Sequence, residues 1–283
     1  MRQVYINGEF KKEDEAKVSI FDRGLLFSDS VYEVTSVINS KLIDFKHHVE
    51  RLDRSMNELK FKTLIDHDEI LAFHRKLIDL NNLKEGMIYT QVTRGVVDRS
   101  FDMPKQAIKP TVLAFTQEKK ILESDSAKNG IKVMTLEDMR WKRNDIKTTQ
   151  LLYASMAKSE ATAKGFDDAW MLRQGYVTEG SSNNVWIIRS KNIMTRQSDN
   201  LILSGITRAV VLECAKKLNY EVITKNFTKV DAESADEAFM TSATGLITPV
   251  VKINSSQIGD GKPGNFTKSL RAEIIKRALE IAI

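Results

Sequence analysis

Side chains that could do chemistry stand in three separate segments of the chain. Lys147 lies in segment 145–149 (DIKTT), Glu179 in 177–183 (VTEGSSN) and Thr207 in 205–208 (GITR). An amine can bind an aldehyde covalently, a carboxylate can keep a ring nitrogen protonated, and hydroxyls with helix N-terminal N–H groups can hold a phosphate. These are the groups that a pyridoxal 5'-phosphate (PLP) site requires.

Each of these residues has a simpler interpretation when it is taken alone. The chain has 43 lysines and arginines, so a single lysine is most often a surface residue, and Glu179 would be an exposed loop carboxylate. Thr148 or Thr149 is expected to cap the alanine-rich helix that follows, which would place the Lys147 amine at the start of a helix. Arg51 would be a helix-surface arginine unless the fold turns it inward.

Two segments could form a cup for a phosphate. Segment 205–207 is expected to open a helix, so its N–H groups and the Thr207 hydroxyl would lie at the positive end of the helix dipole. Segment 241–245 (TSATG) follows a predicted strand and offers further hydroxyls and amides. Each is a weak signal alone, and together they indicate a phosphate site only because the lysine and the acid are also present.

Composition narrows the class of protein. With 283 residues, 42% hydrophobic and 29% charged, the chain is expected to be a soluble globular protein long enough for two domains. The net charge of +5 comes from lysines spread among acids, with no basic stripe or nucleic-acid motif, so we expect no nucleic-acid partner. The single cysteine, Cys214, favours a reducing cytoplasm. No signal peptide or membrane span is expected.

Hydrophobic periodicity predicts hairpins and then helices in the first part of the chain. Strands are expected on both sides of Asn7-Gly8 and of Asn39-Ser40. Helices are expected over 46–59 and 66–80, the second capped by Asp66. Further strands are predicted at 87–93 and 111–115.

The second part alternates strands with helices. Predicted strands cover 131–134, 168–172, 184–188, 221–224, 237–241 and 248–253, and predicted helices cover 151–164, 207–218 and 268–282. The fold class is therefore α+β, with mixed sheets and flanking helices. We expect a smaller domain over 1–120, a polar linker over 121–130 and a larger cofactor-binding domain over 131–283.

The ordered motifs of the chain resemble those of one enzyme family. They are DRG at 22–24, DSVYE at 29–33, HVERL at 48–52, QVTRG at 91–95, DIK at 145–147, TEGSSN at 178–183, GITR at 205–208 and TPV at 248–250. Their order is similar to that of the fold-type IV PLP-dependent transaminases, and within them most to the bacterial D-amino acid aminotransferases. The resemblance runs almost from end to end.

The resemblance implies a role for each cofactor-binding residue. Lys147 would form the Schiff base with the cofactor and move the substrate proton, and Glu179 would pair with the pyridine nitrogen. Leu203 would pack on the ring. The phosphate would be held by Arg51, Ile206, Thr207 and Ser242, with Ala243 standing where the family has a second hydroxyl. A homodimer with sites near its interface, and amino acid and 2-oxo acid substrates, are also implied. No metal is expected.

The expected substrate pocket departs from the family pattern at one position. In the D-amino acid enzymes the α-carboxylate is trapped by a tyrosine together with an Arg-x-His pair that reaches over from the partner subunit. Tyr32 and Arg99 match the tyrosine and the arginine, whereas Phe101 stands in the place of the histidine and has no hydrogen-bond donor. Losing one donor should weaken a buried carboxylate trap by on the order of 1 kcal/mol.

Three other functions stay open at this point. A branched-chain L-amino acid aminotransferase or an aminodeoxychorismate lyase would share the fold and the cofactor residues. If the protein is not an enzyme, it would be a non-catalytic PLP-binding protein or simply a soluble scaffold. The leading hypothesis is a ping-pong transamination between a D-amino acid, of the D-alanine or D-glutamate type, and a 2-oxo acid.

Overall fold

The computed structural model describes all residues from Met1 to Ile283, and they fold into two compact units. Unit 1 comprises residues 1–120, 146–150 and 281–283, and unit 2 comprises 121–145 and 151–280. The division into domains at 1–120 and 131–283 remains a proposal. No helix is long and apolar enough to cross a membrane.

Unit 1 is built on one antiparallel sheet. Its elements are β1 (Gln3–Ile6), β2 (Glu9–Lys12), α1 (Arg23–Phe27), β3 (Ser30–Ile38), β4 (Lys41–Leu42), α2 (Phe45–Glu58), α3 (His67–Leu80), β5 (Glu85–Thr93) and β6 (Thr111–Glu118). The strand order is β2-β1-β6-β5-β3-β4. Asn7 (φ 51°) and Gly8 (φ 97°) turn β1 into β2 in the left-handed conformation that both residue types accept.

Alternation along the strands explains which face of this sheet is buried. Val31 of β3 and Ile88 and Val92 of β5 are fully buried, and α2 packs on β3 while α3 packs on β1 and β6. The residues that follow them in these strands, such as Tyr32 and Tyr89, are only half-buried. Since successive strand residues point to opposite faces of a sheet, the Tyr32 side chain lies on the face opposite to the buried Val31 side chain.

Unit 2 carries the remaining elements. These are α4 (Asp125–Asn129), β7 (Ile131–Glu137), α5 (Leu152–Ala163), β8 (Asp168–Arg173), β9 (Tyr176–Gly180), β10 (Asn184–Arg189), β11 (Asn192–Thr195), α6 (Ile206–Lys217), β12 (Val222–Thr224), α7 (Lys229–Glu233), β13 (Glu237–Ser242), β14 (Leu246–Ile253), β15 (Ser256–Gln257) and α8 (Asn265–Ile281).

The sheet of unit 2 is mixed. Its order is β12-β11-β10-β13-β14-β7-β8-β9, with β15 beside β14. The pairs β11–β12, β14–β7 and β7–β8 are parallel and the others antiparallel. A buried cluster that includes Trp170, Ile187 and Phe227 forms its core. The α+β class predicted from the sequence is confirmed.

Most predicted elements form within a few residues of their expected bounds. Asp66 caps α3 as expected, because its side chain accepts from the N–H groups of Asp68 and Glu69. The short elements α1, α4, α7, β9, β11 and β15 were not predicted. Their apolar patterns are too short to show a period.

Candidate active site

In unit 1, the backbone of Lys147 is held on both sides. Its carbonyl accepts from the N–H of Tyr32 at 3.0 Å, and its own N–H donates to the Ser55 Oγ at 3.3 Å. Thr148 forms an antiparallel bridge with Val31. Segment 147–149 therefore runs as a short extra strand along the start of β3, and it fixes where the lysine side chain begins.

The expected helix cap near Lys147 is wrong. Helix α5 begins at Leu152 with Leu151 at the N-cap, and no side chain caps it. Thr149 instead shares a hydrogen bond between its hydroxyl and that of Ser30, and its N–H donates to the Ser30 carbonyl at 3.2 Å. Thr148 and Thr149 cannot cap a helix because tertiary pairing with β3 takes both of them.

The Lys147 ammonium lies against an aromatic ring. Its Nζ is 4.2 Å from the centroid of the Tyr32 ring, and no carboxylate forms an ion pair with it. Tyr32 is itself stacked on Tyr89, with centroids 5.3 Å apart and planes inclined by 21°. The amine is thus oriented by a ring face rather than neutralised by an acid, which leaves it available for covalent chemistry.

Helix α2 turns Arg51 inward. The Arg51 Nε and Nη2 donate to the two carboxylate oxygens of Glu33 at 2.7 and 2.8 Å, and the His48 Nδ1 is hydrogen-bonded to Glu33 Oε2 at 2.7 Å. His48, Arg51 and Ser55 recur at helical spacing, so one face of α2 holds both Glu33 and the Lys147 backbone. Glu33 accounts for two of the five N–H donors of the guanidinium.

Burial and charge set the protonation states of this cluster. Burial by itself would raise the pKa of Glu33, but the charge and hydrogen bonds of Arg51, and then the hydrogen bond of His48, hold that pKa well below its usual range. Burial lowers the pKa of His48, so its ring is neutral near pH 7. Glu33 is therefore a carboxylate, and Arg51 and His48 are its donors.

Arg99 and Phe101 lie together on an irregular surface loop of unit 1. The guanidinium carbon of Arg99 is 5.2 Å from the centroid of the Phe101 ring and 5.5 Å from that of Phe27. Phe101 is 81% exposed. The structure brings Lys147 and Tyr32 into contact and places Arg99 beside Phe101.

In unit 2, Glu179 lies near the end of β9 and is buried. Arg140 Nη1 donates to Glu179 Oε1 at 2.6 Å. Asn184 Nδ2 and the backbone N–H of Leu203 both donate to Glu179 Oε2 at 3.0 Å. These donors fix the carboxylate in one orientation, which an exposed loop residue would not have.

Arg140 joins Glu179 to a second buried carboxylate. Its Nη2 and Nε donate to Asp138 at 2.9 and 3.0 Å, and the Thr178 hydroxyl donates to Asp138 Oδ2 at 2.8 Å. Burial raises the pKa of Glu179, and the charge of Arg140 opposes that increase. The arginine therefore favours the charged form of the carboxylate.

Asn184 brings the remaining predicted residues of unit 2 together. Besides Glu179, it donates to the Leu203 carbonyl at 2.8 Å, and it pairs with Thr241 across β10 and β13. A Cβ on Gly205 would come within 2.1 Å of Asn184 Oδ1. Only glycine permits this approach, so Asn184 sets the start of α6 beside Glu179 and the end of β13.

The end of β13 and the start of α6 offer donors for an anion. Helix α6 begins at Ile206 with Gly205 at its N-cap and no side-chain cap, so the first N–H groups, including that of Thr207, are not used within the helix. Ser242 ends β13 and accepts from the Gly245 N–H at 3.1 Å, which leaves its hydroxyl proton for another acceptor. Ala243 follows and is half-buried.

Sequence reasoning missed four residues that hold the candidate site residues in place: Glu33, Ser55, Arg140 and Asn184. A signal existed for one of them. Glu33 interrupts the apolar alternation on the buried face of β3, and a buried acid requires a cationic partner. The other three lie in ordinary polar surroundings in the sequence, and only their tertiary neighbours distinguish them.

Comparison with known proteins fits this arrangement. The family described as amino-transferase class IV matches residues 30–253. The chain belongs to the class IV aminotransferases. It is 38% identical over 271 residues to the D-alanine aminotransferase of Staphylococcus aureus (strain N315), covering 96% of each chain. It is 37% identical over 274 residues to the D-alanine aminotransferase of Bacillus licheniformis, covering 96% of this chain and 95% of that protein.

A solved class IV structure has the same fold. The branched-chain amino acid aminotransferase of T.th., solved with pyridoxamine 5'-phosphate, aligns with a TM-score of 0.90 at 26% identity, over 98% of this chain and 94% of that one. As a class IV aminotransferase, the chain is a PLP-dependent enzyme.

The residues of this chain fit that cofactor. A carboxylate has about four acceptor sites, and Glu179 uses three of them, which leaves one for a ring N–H. The first N–H groups of α6, including that of Thr207, have no partner within the helix and no side-chain cap, so they can donate to an anion. Lys147 supplies an amine without an ion-pair partner.

Proposed function

We propose that this enzyme moves an amino group between a D-amino acid and a 2-oxo acid by a ping-pong mechanism. The observation that carries the proposal is the similarity to D-alanine aminotransferases, 38% over 96% of the chain. The lysine, the buried acid and the donors at the start of α6 support the transamination chemistry. D-alanine and D-glutamate are the expected amino donors.

Unit 2 is proposed to hold the ring and the phosphate. Glu179 would accept the ring N–H and keep that nitrogen protonated, and Leu203 would pack on the ring. Ile206, Thr207, Ser242 and the Ala243 N–H would bind the phosphate. When it is bound, PLP draws electrons from the substrate Cα–H bond.

Unit 1 is proposed to supply the covalent anchor and the proton transfer. Lys147 Nζ would hold the cofactor covalently and, once the substrate amine has taken its place there, would move the proton that leaves the substrate Cα. Because hydrogen bonds fix the backbone of Lys147, its side chain can reach only a limited region. Arg51 is proposed to donate to the phosphate while Glu33 fixes its guanidinium plane.

The substrate carboxylate is proposed to bind Tyr32 and Arg99. A guanidinium can grip a carboxylate through two parallel N–H donors, and the tyrosine hydroxyl adds a third. Phe101 adds an apolar ring to this part of the pocket.

A branched-chain L-amino acid aminotransferase is the second candidate, because the branched-chain enzyme of T.th. has this fold at a TM-score of 0.90. Its identity to this chain is 26%, against 38% for the D-alanine enzymes. An aminodeoxychorismate lyase is favoured by no observation beyond the shared fold.

A half-reaction experiment tests the proposal. The PLP-loaded protein is mixed separately with D-alanine, D-glutamate, L-leucine and L-glutamate, and the formation of each 2-oxo acid is measured. Conversion of the D-substrates alone supports the proposal. Conversion of the L-substrates alone would contradict it and favour the branched-chain candidate.

We also propose that the enzyme is a homodimer. An apolar surface patch on unit 1, made by Ile20, Phe21, Leu25, Leu26 and Val96, is exposed to solvent. The segment that contains Phe21 lies beside Val96, since Asp22 forms a β-bridge with Val96. Such a patch is typical of a protein interface.

A cytoplasmic location is proposed because the one cysteine is free.

A further inference from the structure

Arg99 is held by aromatic rings and by no acid. Its guanidinium carbon lies 5.5 Å from the Phe27 ring centroid and 5.2 Å from that of Phe101, and no carboxylate forms an ion pair with it. The two rings meet edge to face, with centroids 5.6 Å apart and planes inclined by 68°. The cation is therefore oriented without being neutralised.

The Phe27 ring is fixed by a buried network. Arg23, one helical turn earlier in α1, places its guanidinium carbon 4.6 Å from the Phe27 ring centroid. Its Nε donates to Asp29 at 2.7 Å, and its Nη1 donates to the Ser100 carbonyl at 2.8 Å. The same arginine thus anchors the ring and the loop residue that follows Arg99.

The exposure of Phe101 shows that it does not serve the hydrophobic core. The residue is 81% exposed, so burying its ring contributes almost nothing to folding. The ring contacts that remain are those with Arg99 and Phe27.

Stacking suits a guanidinium that must bind a carboxylate. Ring contacts use the cation without consuming its N–H donors, which stay available for a bidentate grip. They also restrict a side chain that otherwise loses rotamer entropy when it binds. A pre-oriented arginine binds its ligand more tightly for this reason.

We infer that Phe27 and Phe101 are positioning residues that orient Arg99 toward the substrate α-carboxylate. The Phe101 side chain has no hydrogen-bond donor for the carboxylate, and its ring compensates for this by stacking on Arg99. The inference rests on the proposed function, in which Arg99 binds that carboxylate.

Steady-state and half-reaction kinetics of the holoenzyme test the inference. Phe101→Leu and Phe27→Leu should each raise KM for D-alanine about three- to fivefold, which corresponds to about 0.7–1 kcal/mol, with kcat unchanged. Phe101→Tyr keeps an aromatic face and should retain the wild-type KM. Gln106→Leu, at an exposed residue of the same loop, is the matched control.

A substrate without a carboxylate separates orientation of Arg99 from damage to the fold. Ethylamine is D-alanine without its carboxylate, so its half-reaction should proceed at the same rate in Phe27→Leu and in the wild type. An equal loss with both amines, or an unchanged KM for D-alanine in Phe101→Leu, would overturn the inference.

A spectrum of the arginine side chains supplies a readout independent of turnover. With ¹⁵N-labelled arginine, the Nε–Hε signal of Arg99, identified by its disappearance in Arg99→Lys, should lie upfield because of the ring currents. Phe101→Leu should move it toward the free-arginine position, and propionate should shift it at a higher concentration than in the wild type. A signal that stays in place in Phe101→Leu would overturn the inference.

Arg99→Lys distinguishes failure of this inference from failure of the proposed function. If that variant keeps the wild-type KM for D-alanine, Arg99 does not bind the carboxylate, so that role and the positioning role of Phe101 are both wrong. Turnover of D-alanine by the wild type tests the proposed function separately. If it raises KM while Phe101→Leu does not, the carboxylate role of Arg99 stands and the positioning role of Phe101 is wrong.

Discussion

Replacing Arg140 by methionine should destabilise unit 2 strongly. Arg140 pairs with Glu179 at 2.6 Å and with Asp138 at 2.9 Å, and the three side chains are at most 10% exposed. Removing one partner of a buried ion pair typically costs 3–5 kcal/mol. Because Glu179 loses its cation and Asp138 keeps only Arg173, at 3.4 Å, we expect a loss of about 4 kcal/mol, a large part of the 5–15 kcal/mol that stabilises a typical protein.

The loss should depend on pH in a defined direction. Burial already raises the pKa of Glu179, and without Arg140 that pKa rises further. The folded state then binds a proton more readily than the unfolded state, so this group favours folding at low pH and the contribution is lost as pH rises through the folded pKa. The deficit of Arg140→Met should therefore be smaller at pH 5.5 than at pH 8.

Urea unfolding of the apoprotein, followed by the fluorescence of the buried Trp170 and Trp186, measures both effects. Arg189→Met is the matched control in the same unit, because Arg189 and Asp231 are 49% and 39% exposed and pair at 3.3 Å. Its loss should stay below about 1 kcal/mol. A loss in Arg140→Met no larger than that of the control, or one independent of pH, would refute the reasoning.

Four further outcomes are expected. Lys147→Ala should abolish turnover of D-alanine while equilibrium dialysis still detects bound cofactor; remaining turnover would contradict the role of the lysine. Ser55→Ala leaves the Lys147 N–H without its acceptor and should lower the free energy of unfolding in urea by about 1–2 kcal/mol, and an unchanged value would exclude that contact. Burial lowers the pKa of His74 from 6.5 to about 3, so the unfolded chain binds the extra proton and stability falls by roughly 2 kcal/mol between pH 7 and 5; His74→Gln should flatten this dependence, and an equally steep curve would be contrary evidence. Leu25→Glu, at a side chain that is 63% exposed, should sediment as a monomer, and a dimer would show that the patch is not the interface.

Local chemistry determined much of the fold from the sequence. The turn at Asn7-Gly8, the Asp66 cap of α3 and the start of α6 at Gly205-Ile206 all depend on residues within a few positions of one another. Their conformational preferences act in the same way in any fold. The order of the motifs also identified the family, since each motif is itself a short local unit.

The tertiary structure alone decided what several of these residues do. Thr149 satisfies the sequence requirement for a helix cap, yet its hydroxyl bonds Ser30, 119 positions away. Arg140 reaches Glu179 across 39 positions, and Arg51 reaches Glu33 across 18. A hydroxyl or a guanidinium has several possible partners of similar energy, so its choice depends on which one the fold brings within hydrogen-bonding distance. Sequence patterns carry the local preferences of the backbone, whereas the pairing of buried polar groups is settled only when distant strands and helices pack.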